Sequence, residues 1–385
     1  MSFKENDERR ALRQAVADLG RRYGHDYVVR QVRKGEPLDE LWAEAGKQGF
    51  LGVNLPEQYG GGGGGLYDLS LVLEELSAAG CTLLMMVVSP AICGTIIARF
   101  GTDEQRQRWL PGIAGGERIM AFAITEPDAG SNSHKITTTA RRDNGDWVLS
   151  GRKVFISGVD QADAVLVVGR TEDARTGKLK PALYAVPTDA KGFEYRPIDM
   201  DLAMPDKQFM LYLDDVRLPA DALIGEEDAA LMQLFAGLNP ERIMAAASSI
   251  GLGRYALDKA VRYVNTREVW GKPIGTHQGL AHPLAQIKIE LELAKLMMQK
   301  AATLYDEGDD MGAGEAANMA KYAAAEAATL AVDTAIQTHG GNGMTTEYGV
   351  ATLLGVVRAM RIAPVSREMI LNFVAQHVLG QEKSY

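Results

Sequence analysis

The chain has 385 residues, 46% of them hydrophobic, which is enough to bury a sizeable core and divide it among two or three packed domains. Its 41 Lys and Arg against 50 Asp and Glu leave a net charge of -9, so there is no general attraction to nucleic acid or anionic membranes, and an anionic ligand must be held by local groups. The first residues, MSFKENDERRALRQ, lack the apolar core of a signal peptide and no run of about 18 apolar residues occurs. Cys81 and Cys93 are too few for a disulfide framework or a Cys-based zinc site, and the six His show no HExxH pairing. A cytoplasmic protein without metal or structural disulfide is expected.

From about Asp7 to Ala114 apolar residues recur at helical spacing, as in Leu12, Val16 and Leu19 and again in Leu69, Leu71, Val72 and Leu76. Within this part Gly60 to Gly65 is a glycine run with no GK[ST] after it, so it reads as a flexible loop rather than a phosphate cradle. From Met120 to Ile224 the pattern changes to short strand-like runs, Trp147 to Leu149, Ala164 to Val168, Ala182 to Val186 and Met210 to Leu213, separated by Asp, Gly and Pro turns. After Glu226 long Ala- and Met-rich helical patterns return, Ala229 to Tyr263, His282 to Glu307 and Gly314 to Thr338. The expectation is an α+β chain, mainly α: an N-terminal helical domain (1–119), a middle β-barrel or sandwich domain (120–225) and a C-terminal antiparallel four-helix bundle (226–385).

Three motifs carry chemistry. In AFAITEPDAGS, from Ala121, the residues Phe122, Ile124 and Thr125 end a strand that leads into a Pro127, Asp128, Gly130 turn with backbone N–H groups free to meet polar ring edges. REVWGKPIGTHQ, from Arg267, opens with a fixed cationic fork suited to a pyrophosphate. QTHGGNGMTTEY, from Gln337, supplies glycines that let a backbone approach a ligand. In this order and spacing, and with the helix–β–helix organisation, the three runs resemble the acyl-CoA dehydrogenase family over nearly the whole chain.

The resemblance implies an FAD enzyme. Phe122, Ile124, Thr125 and Ser131 would flank the flavin ring, Ser131 also lying near the thioester end of the substrate. KVFISG (Lys153 to Gly158) is similar to the family's KxWITN-like strand, so Phe155 would stack beside the ring and Ser157 bond its reactive edge; both depart from the commoner Trp and Thr and keep their chemical character. Arg267, with His277 and Gln278, would reach the pyrophosphate of FAD across a subunit interface, while Gln337, Gly340 and Gly341, and also Ser366 and Glu368, would meet the adenosine part. These shared contacts imply a homotetramer built as a dimer of dimers.

Removing the proton alpha to a thioester carbonyl requires a carboxylate base. Most of the family carries it on a C-terminal loop, but the matching stretch here, Ala363 to Ser366 (APVS), has Pro364 at that place. The sequence is similar instead to the isovaleryl-CoA and long-chain enzymes, which carry the Glu on the first long helix of the bundle, so Asn239, Pro240, Glu241, Arg242 would present Glu241 as the base. Asn239 and Arg242 would contact the substrate. Read without the resemblance, NPER is a helix start, with Asn as cap and Pro in the first turn; if the family placement holds, Pro240 lies inside a continuous helix. Pro364 also lacks the N–H that relatives aim at the thioester oxygen, so either Val365 donates or a donor is lost.

Met85 and Met86 align with the helix that lines the acyl pocket in relatives, and core packing explains them equally well. The function implied is FAD-dependent dehydrogenation of an acyl-CoA to the trans-2-enoyl-CoA in fatty acid β-oxidation, with electrons passing to an electron-transfer flavoprotein. An enoyl-CoA reductase, an acyl-CoA oxidase, or an inactive acyl-CoA- and FAD-binding scaffold are the alternatives.

Overall fold

A computed structural model describes residues 4–172, 176–202, 204–227 and 230–383. The N-terminal part is helical. Helix α1 (Asp7–Lys34) is capped by Asn6, whose side chain accepts from the Arg9 N–H, and it changes direction at Gly24, where φ is +69°. After α2 (Asp39–Lys47) comes α3 (Leu66–Ala78), which is buried along almost its entire length. A further helical course follows: α4 (Leu84–Met86), wide turns over Val87–Gly94 around Pro90, then α5 (Thr95–Phe100) and α6 (Asp103–Gly115).

The glycine run departs from the expected flexible loop. The amides of Gly61, Gly62, Gly63 and Gly64 donate to the carbonyls of Pro56, Gly52, Leu55 and Val53, so the run is stitched to the turn before it. A Cβ on Gly61 would lie 2.2 Å from the Leu55 carbonyl oxygen, so glycine is needed there for close backbone approach. The run ends where Asp306 accepts from the N–H groups of Leu66 and Tyr67 and caps α3 from the far end of the chain.

The middle part is one eight-stranded sheet of β1 (Met120–Ala123), β2 (Thr139–Asp143), β3 (Asp146–Ser157), β4 (Ala164–Glu172), β5 (Leu179–Pro187), β6 (Phe193–Ile198), β7 (Gln208–Leu218) and β8 (Leu223–Ile224). Its order is β6-β7-β3-β2-β4-β5-β8, with β1 added parallel to β4. The four expected strand runs fall within β3, β4, β5 and β7. Ile124 and Thr125 lie just past β1 rather than in it, yet the Thr125 carbonyl accepts from Val154 N–H and so joins this segment to β3.

The same joint holds a buried ion pair. Lys153 on β3 donates to Glu126 at 2.9 Å and to the Ile124 carbonyl at 3.0 Å, while the N–H and hydroxyl groups of Thr137 and Thr138 donate to the same carboxylate. Burial opposes the charge on Glu126, but the bonds from Thr138, Lys153 and Thr137 outweigh it and hold the carboxyl at about 2.

The C-terminal part consists of three long helices, α7 (Ala230–Thr266), α8 (Gln278–Asp306) and α9 (Asp310–His339), joined by the short hairpin β9 (Glu268–Val269) and β10 (Lys272–Pro273) and followed by α10 (Leu353–Met360) and α11 (Arg367–Phe373). The expected start of the first pattern, Ala229, lies outside the described residues. The three long helices pack along one another, and α3 packs on α7. Glu74 of α3, fully buried, is met by Arg13 of α1, Arg254 of α7 and Lys295 of α8 at 2.9, 2.6 and 3.0 Å.

The Glu126–Lys153 pair gives a direct test of what holds the β3 joint. Lys153→Met strands a buried carboxylate, and a loss of about 3–5 kcal/mol in denaturant unfolding is expected. Adding Glu126→Gln to that variant should recover part of the loss.

Candidate active site

Glu241 lies eleven residues beyond the first residue of α7, and the helix passes through Pro240 without a break. The NPER run is therefore not a helix start, and no free helix N-terminus acts on the carboxylate. The course from Thr82 to Phe100 runs antiparallel to α7. At one end a Cβ on Gly237 would meet Ile96 at 2.5 Å and Ile92 at 3.1 Å; at the other the hydroxyls of Thr82 and Ser248 bond at 2.7 Å. Glu241 falls between these ends, beside Cys93, whose thiol burial and the Glu241 charge push well above its ordinary range.

Burial raises the Glu241 carboxyl to about 7, against the pull of Arg242 and Lys321. Arg242 donates to the Leu238 carbonyl and keeps a buried Nε without a partner. Lys321 on α9 is 1% exposed and donates at 2.6 Å to the Val365 carbonyl; burial, then the neighbouring Arg242, bring it down to about 8. It ties the 363–366 loop to the neighbourhood of Glu241. Nothing in an Ala-rich helical pattern marks this lysine in the sequence, and only its depth in the bundle gives it significance.

On that loop Pro364 has no N–H, and the Val365 N–H makes no hydrogen bond among the described residues. Arg361 pairs with Glu326 at 2.7 Å and anchors the loop to α9. Ser366 caps α11 by accepting from Met369 N–H, and Glu368 beside it is exposed. Asn239 is buried and donates to the Asp310 carbonyl. Met85 and Met86 are both buried, and a Cβ on Gly158 would meet the Met85 sulfur at 2.4 Å, so this methionine packs against the turn after β3.

The residues expected at the flavin ring lie at the end of β1, on the turn after it and in β3. Phe122 is buried at the end of β1, with Ile124 and Thr125 half-buried next to it and Ser131 exposed on the following turn. Phe155 sits in a bulge of β3 at φ +57° with its ring 58% exposed, a costly arrangement for an aromatic side chain with no ligand to cover it. The Ser157 hydroxyl bonds Gln208 across to β7 at 3.0–3.1 Å, which fixes where it points.

A second group lies at the other end of α7. Arg267 follows its last turn, exposed and without an ion pair among the described residues. His277 and Gln278 begin α8, and the buried His277 Nε2 has no partner. Gly340 and Gly341 have open space where a Cβ would stand, exposed Gln337 lies one turn before them, and the ring of Tyr263 stacks on His339 at 4.3 Å, bringing this turn to the same end. Arg267 is 26 residues beyond Glu241, which along a helix is about 39 Å. Within one protomer the Arg267 group therefore stands far from Glu241. Ser366 and Glu368, through Val365 and Lys321, sit with Glu241 rather than with Gly340.

Comparison with known proteins gives the family. The chain matches the acyl-CoA dehydrogenase N-terminal domain over residues 6–117, the middle domain over 121–216 and the C-terminal domain over 232–379. It is 70% identical to acyl-CoA dehydrogenase FadE12 of Mycobacterium tuberculosis (strain ATCC 25618 / H37Rv), covering 100% of this chain and 99% of that protein. It is 33% identical to the mitochondrial long-chain specific acyl-CoA dehydrogenase of Sus scrofa over 90% of this chain and 81% of that one. Butyryl-CoA dehydrogenase from Megasphaera elsdenii superposes with a TM-score of 0.92 at 28% identity, over 98% of this chain and 100% of that chain. This chain belongs to the acyl-CoA dehydrogenase family of FAD-dependent oxidoreductases.

Proposed function

We propose that the protein dehydrogenates an acyl-CoA thioester between its alpha and beta carbons, with Glu241 removing the alpha proton. The observation that carries this reading is a half-buried carboxyl near Cys93, without an ion pair among the described residues, and raised to about 7, where it can both hold and release a proton near neutral pH. Bound FAD supplies the acceptor for the hydride from the beta carbon. The unpartnered Nε of Arg242 faces the substrate's polar end, Asn239 sits one turn of contacts away on the same helix, and Ser131 approaches the thioester from the exposed turn. Val365 N–H takes the oxyanion role that Pro364 cannot fill, and Lys321 positions it by holding the Val365 carbonyl.

The two separated groups of cofactor residues are complementary if a second copy supplies the Arg267 group. Apolar surface supports assembly: Trp270 at the β9–β10 tip is 86% exposed, and on α8 Ile289 and Leu293 are each 61% exposed one turn apart. A dimer of dimers serving fatty acid oxidation, with an electron-transfer flavoprotein as acceptor, completes the reading. No described helix is long and apolar enough to cross a membrane.

Four outcomes are expected. In anaerobic stopped flow with acyl-CoA, Glu241→Gln should bleach the flavin roughly 10²–10⁴-fold more slowly than wild type; equal rates would remove Glu241 from the role of base. The wild-type rate should rise with pH through about 7, because only the ionised carboxylate accepts the proton. The same upward shift costs stability as pH rises from the ordinary carboxylate value to about 7, so Glu241→Gln should be the more stable protein above pH 7, by about 3 kcal/mol at most, in denaturant titrations. Light scattering should give about four times the 41.7 kDa of one chain, and a monomer would contradict the shared cofactor site.

A further inference from the structure

Ser157 and Gln208 face each other as the last pair of the β3–β7 ladder, next to the Ile156–Phe209 pair and beyond the bulge that carries Phe155. The turn after Ser157 is held on two sides. The Gly158 N–H donates to the Lys207 carbonyl at 3.0 Å, and a Cβ on Gly158 would meet the Met85 sulfur at 2.4 Å. Ile156 is buried with Phe209 in the core of the β domain, so Phe155 and Ser157 on either side of it stand on the opposite face. A flavin ring that covers exposed Phe155 therefore has Ser157 beside it, which is the place at the reactive edge that the family resemblance gives this hydroxyl.

The Ser157 Oγ lies 3.1 Å from Oε1 and 3.0 Å from Nε2 of Gln208, so both ends of one amide are within its reach. Oε1 only accepts and Nε2 only donates, whereas a hydroxyl does both. Ser157 can thus donate to Oε1 or accept from Nε2 with Gln208 standing still. Exchanging the amide oxygen and nitrogen leaves this unchanged. Neither side chain has another hydrogen-bond partner among the described residues.

That freedom matches a requirement of flavin chemistry. The ring nitrogen N5 of an oxidised flavin carries no hydrogen and only accepts a hydrogen bond, whereas in a reduced flavin the same nitrogen carries a hydrogen and donates. A hydroxyl at N5 must therefore donate in one state and accept in the other. Tied to a fixed donor or a fixed acceptor it would serve only one of them. Nε2 of Gln208 supports the first arrangement and Oε1 the second.

We infer that Gln208 is a positioning residue that lets the Ser157 hydroxyl turn from donor to acceptor when the flavin is reduced, so that both redox states keep a hydrogen bond at N5. This rests on FAD and on Ser157 at its ring, and not on Glu241 or on the acyl group. No proton leaves either side chain. The hydroxyl rotates, a bond from Nε2 is exchanged for a bond to Oε1, and the hydrogen on N5 is the hydride that dehydrogenation delivers.

The test is the midpoint potential of the FAD holoenzyme, measured against reference dyes at alkaline pH without acyl-CoA, in a cycle of Ser157→Ala, Gln208→Glu and the double variant. A carboxylate in place of the amide only accepts, so it locks the hydroxyl towards itself and favours the reduced flavin, while its charge favours the oxidised flavin whether or not Ser157 is present. Gln208→Glu should therefore lower the potential less with Ser157 present than in the Ser157→Ala background, by about 30 mV, a tenfold change for a two-electron couple. Equal lowering would overturn the two-way bond. Gln208→Met, which removes both amide ends at similar size, should slow flavin reduction by acyl-CoA about tenfold with KM unchanged and add nothing to Ser157→Ala, and it serves if the carboxyl variant loses its flavin or stays protonated. Equal slowing by Gln208→Met in both backgrounds would overturn the proposal, because the glutamine would then act on the sheet and not through Ser157. Wild-type flavin that no acyl-CoA bleaches would overturn the proposed dehydrogenation, whereas the potentials, measured without substrate, still decide the role of Gln208.

Discussion

Close contact between α7 and the N-terminal helices is the constraint on which the rest of the molecule depends. It is made possible by small residues on α7. A Cβ on Gly251 would sit 2.4 Å from the Glu74 carbonyl oxygen and from the Ser77 Cβ, and one on Gly237 would press into Ile96. Glycine at both places lets the helices approach until the chain between them, residues 82–96, lies directly on the Glu241 face. The placement of Glu241, the bond between Thr82 and Ser248 and an apolar cavity of about 140 Å³ beside that bond all follow from this approach.

The same interface sets fully buried Glu74 and half-buried Glu241 in opposite electrostatic settings. Glu74 is surrounded by Arg13, Lys295 and Arg254, and although burial pushes its carboxyl up, these three cations pull it below the ordinary range. It stays ionised and ties four helices together. Glu241 has only Arg242 and Lys321 nearby, neither within ion-pair distance among the described residues, so burial prevails and its carboxyl rises. Three contacting cations make a carboxylate structural, whereas two at longer range leave it able to exchange a proton. Lys153 and Lys321 show a related contrast. The first neutralises Glu126 within the β-sheet joint, and the second spends its ammonium on a backbone carbonyl, which leaves Glu241 unpaired.

Much of this was legible in the sequence, for identifiable reasons. The helical and alternating patterns reflect burial on one face, which is a local property, so the long helices and the four central strands could be read directly. The NPER run misleads because Asn-Pro-Glu satisfies every local rule for a helix start, yet tertiary packing along the whole of α7 carries the helix through Pro240. The glycine run reads as flexible because nothing local reveals that its amides pair with residues 52–56. Glu126 and Lys153 both stood inside recognisable motifs, but they are 27 residues apart and their pairing exists only once β3 lies beside the segment after β1. Lys321 carries no local signal at all. Charged groups whose partners are distant in sequence are therefore where reading from sequence gives out first.

Because one helix carries Glu241 and Ser248 and leads into Arg267, the distances among them are fixed by helical rise rather than by loops. Shifting α7 along its axis would move all of them together and would break the Gly237 and Gly251 contacts at the same time. The cavity can change shape more cheaply from the facing elements, at Val29, Leu84 or Val356, which line it from outside α7. Glu241 is thus held by the rigid element, while the shape of the cavity rests on side chains from α1, the 82–87 segment and α10. Substitutions at those places can therefore alter the space beside α7 without moving Glu241.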